Sequence, residues 1–177
     1  VAFALDALAI AVAELASISE RRVERMVNPS LSDGLPAFLT REGGVNSGFM
    51  ILQYVAAALV SENKTLCHPA SVDSIPTSAG QEDHVSMGNA GGLQAFQVLA
   101  NVERTLAIEL LAGAQAVEFL APLEPGRGVE ATRRCVRTLS TRLRDDRSLS
   151  ADIERVGGCI RDGSLLAAVE SEIGPLL

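Results

Sequence analysis

Tryptophan is absent, and one tyrosine and five phenylalanines bring aromatic residues to only 3% of the 177 positions. Pleated sheets are built on aromatic and β-branched side chains, so this poverty, beside twenty-five alanines, favours helix over strand. Cysteine is also scarce. Cys67, Cys135 and Cys159 are odd in number and far apart, which excludes a disulfide framework and gives no zinc-ligand spacing. The expectation is buried, reduced thiols in a cytoplasmic protein that holds no metal.

Excess positive charge is missing as well. Fifteen basic against twenty-two acidic residues leave a formal charge of −7 and a pI near 4.8. That argues against nucleic acid as a partner, because phosphate contact rests on a basic surface. Seven of the basic residues fall between Arg127 and Arg147, but Glu130, Asp145 and Asp146 are interleaved, and a solvated helix face is expected there. Long uninterrupted apolar runs are lacking too. The opening run contains Asp6 and Glu14 and has no basic leader. Phe49 to Val60 is far shorter than the ~20 residues a bilayer requires, so no membrane is expected.

What is present is 47% hydrophobic and 21% charged residues with a mean hydropathy of +0.24, a balance that excludes a disordered chain. The length suits one domain. The chain opens on Val1-Ala2-Phe3-Ala4-Leu5, inside an apolar helix and without Met, and the expectation is that it belongs to a longer gene product.

Hydrophobic periodicity predicts an all-α chain of long helices. Phe3, Leu5, Leu8, Val12, Leu15 and Ile18 form a stripe along a first helix from Val1 to about Met26, which Asn28-Pro29 stops. A loop over 27–46 precedes a second helix over about 47–62, with Asn46 or Ser47 as its cap. After a loop over 63–79, Ser78-Ala79-Gly80-Gln81 fits a capping box and would place Glu82 and Asp83 in the first turn of the longest helix, about 83–117. That helix is apolar nearly all round from Leu93 onward, so it should be buried on every side with help from neighbouring subunits. Gly88, Gly91 and Gly92 suggest close backbone approach. Val129, Thr132, Val136, Leu139 and Leu143 give a fourth, amphipathic helix, and two short helices follow over 150–161 and 164–173.

Spacing alone identifies no nucleophile–base pair, phosphate loop or metal cluster. A longer pattern is more specific: Asn63-Lys64, then His68-Pro69-Ala70-Ser71-Val72-Asp73-Ser74-Ile75-Pro76-Thr77 and Ser78 through Gly88. Ser17-Ile18-Ser19-Glu20-Arg21-Arg22, Leu35-Pro36-Ala37-Phe38-Leu39, Gly48-Phe49-Met50 and Leu106-Ala107-Ile108-Glu109-Leu110-Leu111 accompany it. Together these resemble the C-terminal part of the histidine ammonia-lyases, in the aromatic amino acid lyase family, in register over about 1–125. Over 126–177 only a pattern of amphipathic helices carries over.

The resemblance implies an ammonia-lyase that converts L-histidine to trans-urocanate and ammonia. It implies a homotetramer around a central helical bundle, to which 1–125 contribute. It also implies a methylidene-imidazolone electrophile made from an internal Ala-Ser-Gly. β-Elimination removes a weakly acidic hydrogen, so an electron sink and a positioned base are both required. Glu82 matches the family's active-site acid near the substrate's imidazole and amino group, and is the candidate catalytic and substrate-binding residue. Gln81 and His84 belong to the same stretch as further substrate-binding candidates. The phenylalanine and tyrosine branch is similar here but carries Gln where Glu82 stands.

Two departures are visible. Position 80 is Gly where a larger polar residue such as Asn is expected. No Ala-Ser-Gly occurs in the 177 residues, so the electrophile would belong to an upstream part of the same enzyme, and this stretch alone should be inactive. A phenylalanine or tyrosine lyase or aminomutase fragment, and a non-catalytic helical oligomerisation module, stand as alternatives.

Overall fold

A computed structural model describes residues 1–176. It contains six α-helices: α1 (Ala2–Val27), α2 (Met50–Leu66), α3 (Gly88–Phe119), α4 (Arg127–Leu139), α5 (Ser150–Arg161) and α6 (Ser164–Ile173). Among the described residues there is no strand, and the all-α expectation holds.

The 32 residues of α3 run about 48 Å at 1.5 Å per residue. The helix forms the spine against which α1, α2, α4 and α5 pack. One core gathers Val23, Phe49, Leu52, Ile108, Leu111, Val136, Ile153 and Val156 around the C-terminal half of α3. A smaller one joins Ala9 and Ala16 of α1 to Val98 and Val102 of α3. Alanine explains the close approach of α1 to α3, since a small side chain at the crossing lets the backbones near each other.

The burial of α3 is not uniform. Between Asn101 and Ala116 it is largely buried, but Phe96 is 75% and Leu93 66% exposed. No element of these residues reaches the outer face of the first turns, so within this chain that face is left uncovered. By length and composition alone α1 could also cross a bilayer. Within the fold it packs along α3 and buries Asp6, Ser19 and Glu20 in polar contacts.

Two of these ties, those of Ser19 and Arg22 to Glu109, lie wholly in the stretches that carried the resemblance. Ser19 donates to Glu109 Oε2 at 2.7 Å, and Arg22 forms a two-point pair with the same carboxylate. Glu20 accepts from Gln53 of α2 at 2.8 Å and pairs with Arg21. Gln115, wholly buried on α3, donates to the Leu39 and Leu143 carbonyls and accepts from the Leu143 amide.

Several local expectations are corrected. The second helix begins at Met50, and its N-cap is Phe49. Asn46 and Ser47 serve another contact: the Ser47 and Gly48 amides donate to Asp146 at 2.7 and 2.9 Å, and the Asp146 amide donates to Asn46. The fourth helix ends at Leu139, so Leu143 is buried from an irregular segment rather than from a helix face. The basic residues after Arg127 are not merely a solvated face. Arg137, Arg142 and Arg133 converge on Glu118 at 2.7, 3.3 and 3.6 Å, because a mostly buried carboxylate requires counter-charge. The three thiols are free and half-buried, and burial pushes those of Cys67 and Cys135 above their ordinary value.

Candidate active site

The candidate residues lie on the connection from α2 to α3, and each part of that connection has its own anchor. At its root, Asp6 of α1 is only 8% exposed, and its carboxylate accepts the Ala70 and Ser71 amides at 3.2 and 2.9 Å. These amides open the 3-10 turn Ala70–Val72, where unpaired N–H groups favour an anion. The Ser71 hydroxyl, then the two amides, hold the Asp6 carboxyl below the usual carboxylate range. Gly91 of α3 faces the same carboxylate: a Cβ there would lie 3.2 Å from Asp6 Oδ1. Close approach is thus real at Gly91, whereas a Cβ at Gly92 would make ordinary contact.

Further out, Ser74 and Val85 close a loop. The Val85 amide donates to Ser74 Oγ at 2.9 Å, and that hydroxyl donates to the Val85 carbonyl at 3.2 Å. Inside this clamp the Thr77 and Glu82 backbones pair in both directions, at 3.0 and 3.3 Å. The tip between them is tight. Ser78, Ala79 and Gly80 all have left-handed φ, at 54°, 56° and 85°. Glycine at position 80 meets this geometry without a Cβ penalty, which accounts for the departure from a larger polar residue.

The capping-box expectation is overturned here. Ser78–Gly80 is a separate 3-10 turn, and α3 begins at Gly88 with Met87 as its N-cap. Glu82 and Asp83 therefore stand in the loop and not in a helical first turn. The Thr77–Glu82 backbone pair closes this stretch into a turn, so the chain does not run on as a helix from Ser78. The Gln81 amide instead donates to the Ser78 carbonyl at 3.1 Å.

The structure places Gln81, Glu82, Asp83 and His84 side by side on this exposed loop. Among the described residues, no side chain from 75 to 84 makes a hydrogen bond, so the Glu82 carboxylate has no internal partner. It is available to a ligand. The resemblance had already grouped these four residues. What it missed are Asp6 and Ser74, which hold the loop. An acid in an apolar helix signalled Asp6; nothing singled out Ser74 among the loop's serines.

No Ala-Ser-Gly occurs in the sequence. The nearest string, Ser78-Ala79-Gly80, has the wrong order, and its Gly80 amide already donates to the Thr77 carbonyl at 3.1 Å. These residues do not fit an Ala-Ser-Gly-derived group. Among the described residues there is also no group of three or more His, Cys, Asp or Glu able to hold a metal ion.

The family model described as aromatic amino acid lyase matches residues 1–138, and the chain belongs to that family. It is 60% identical over 176 residues to the histidine ammonia-lyase of Symbiobacterium thermophilum, covering 99% of this chain and 34% of that protein. The crystal structure of histidine ammonia-lyase from Trypanosoma cruzi superposes with a TM-score of 0.91 at 52% identity, over 97% of this chain and 34% of that one. Tyrosine aminomutase from Streptomyces globisporus superposes with a TM-score of 0.92 at 40% identity, over 97% and 33%. The chain thus spans about a third of the length of the relatives it matches.

Proposed function

We propose that these residues are the C-terminal part of a histidine ammonia-lyase that converts L-histidine to trans-urocanate and ammonia in the cytoplasm. The observation that carries this reading is Glu82: a carboxylate without an internal partner, beside the tip of a tightly closed loop. An anionic acceptor suits an imidazole N–H or an ammonium, whereas an aryl ring offers it nothing. Once a bound substrate excludes water from this carboxylate, leaving it unpaired costs about 1–3 kcal/mol, enough to discriminate between substrates. Gln81 and His84 flank the carboxylate and contribute to the same substrate pocket.

In enzymes of this family a methylidene-imidazolone group derived from Ala-Ser-Gly supplies the electron sink for β-elimination. That tripeptide belongs, on this reading, to an upstream part of the same enzyme. The role left to these residues is to bind and orient: Glu82 accepts hydrogen bonds from the substrate, and the loop fixes where it does so. The exposed Leu93 and Phe96 stand close after the loop in sequence, on a face that other subunits of a homotetramer would cover, so that the site is completed between chains.

The test is substrate choice by the full-length protein. It should form urocanate from L-histidine, seen as rising near-ultraviolet absorbance, and should leave L-phenylalanine and L-tyrosine unchanged. Turnover of either aryl substrate at a rate comparable to histidine would overturn the assignment. The isolated 177 residues should form no urocanate.

A further inference from the structure

We propose that Ser74 is a positioning residue for Glu82: its hydroxyl, closing the 74–85 loop on a root held by Asp6, sets where the Glu82 carboxylate stands. This inference rests on the reading of Glu82 as the substrate-binding acid.

The loop is suspended in three steps. Asp6 ties Ala70 and Ser71 to α1, and Gly91 lets α3 close against that same carboxylate, so the root belongs to the rigid α1–α3 pair. Ser74 then joins the outgoing and returning strands of the loop through both hydrogen-bonding roles of one hydroxyl. Only beyond this clamp does the Thr77–Glu82 backbone pair form, three residues from Val85.

Among the described residues, Ser74 is the one side chain that bridges the two halves between Ile75 and His84. The Thr77–Glu82 pairing is entirely backbone, and the tip beyond it holds two non-glycine residues with left-handed φ. Such conformations are strained for residues that carry a Cβ and persist only where the surroundings fix them. Opening the Ser74–Val85 closure therefore frees the segment that carries Glu82. A misplacement of about 1 Å at a reacting site is worth as much as a hundredfold in rate.

The test is a double-mutant cycle in the full-length tetramer, read both by L-histidine turnover and by the affinity for the product urocanate. Ser74→Ala should lower kcat/KM at least tenfold and weaken urocanate binding. Ser74→Thr, which retains a hydroxyl, should recover most of both. In a Glu82→Gln background, Ser74→Ala should change urocanate affinity by less than twofold, because the group it positions is already gone. Equal losses in both backgrounds would make Ser74 a merely structural residue, and no loss in the wild-type background would remove it altogether; either result overturns the proposal. If Glu82→Gln itself alters neither turnover nor urocanate affinity, the reading of Glu82 fails, and the role of Ser74 fails with it. A large Glu82→Gln effect with a silent Ser74→Ala sinks the Ser74 proposal alone.

Discussion

Gly48 shows how a single residue fixes the entry to α2. Its φ is +55°, and a Cβ there would collide with the Phe38 carbonyl oxygen, which accepts the Phe49 amide at 2.9 Å. Gly48→Ala is expected to destabilise the fold by about 1–3 kcal/mol, read as a fall in the denaturation midpoint at unchanged slope. Beside it, Asp146 accepts two backbone amides from another loop. The Ser47 amide, then the Gly48 amide, hold its carboxyl below the usual range. A lowered folded-state pKa gives stability that is complete above the unfolded value and lost as pH falls through the folded one. The difference in Tm between wild type and Asp146→Ala is therefore expected to be constant from about pH 7 to 5 and to shrink below about pH 4. A gap that widened on acidification would refute this account of the contact.

At the scale of elements, α3 organises the molecule through buried polar groups as well as apolar ones. Gln115 satisfies the Leu39 carbonyl and both backbone groups of Leu143, so it fastens two irregular segments to the spine. Replacing it with Leu leaves those groups buried without partners. Each costs about 1–3 kcal/mol, and Gln115→Leu should lower stability more than Ile108→Val, for which about 0.5–1.5 kcal/mol is expected. Chemical denaturation of the two variants decides it.

Element boundaries were legible in the sequence wherever local punctuation was decisive. Asn28-Pro29 closes α1 within a residue or two of the expected end, and α5 and α6 occupy the expected spans on either side of Asp162-Gly163. Local chemistry misled where long-range contacts took over the same residues. Ser47 and Asn46 could cap a helix, but Asp146 lies a hundred residues away and engages them instead. Ser78 and Gln81 fit a capping box, yet the Thr77–Glu82 pairing turns them into a loop tip. The four residues of the candidate site were legible from their pattern. The groups that hold them, Asp6 and Ser74, depend on tertiary contacts that no spacing displays.

Across the whole molecule, apolar surface is spread unevenly. Phe3, Leu93 and Phe96 are each more than three-fifths exposed, on α1 and the N-terminal part of α3, the same end of the spine that receives the Glu82 loop. Exposed apolar side chains gathered at one end of a fold mark an interface in soluble proteins. The full-length protein is expected to sediment as a tetramer, and Phe96→Asp, which places a charge on that face, should shift it toward smaller species. An unchanged tetramer would show that this face is not where the subunits meet.

The central claim is that the Glu82 carboxylate engages the substrate. It is tested most directly by the kcat/KM for L-histidine of full-length Glu82→Gln, with Tm recorded alongside. Loss of one charged hydrogen-bond acceptor is expected to lower kcat/KM by about a hundredfold, with Tm unchanged because the Glu82 side chain has no partner among the described residues and its backbone pair with Thr77 is kept. Turnover within twofold of wild type would contradict the account.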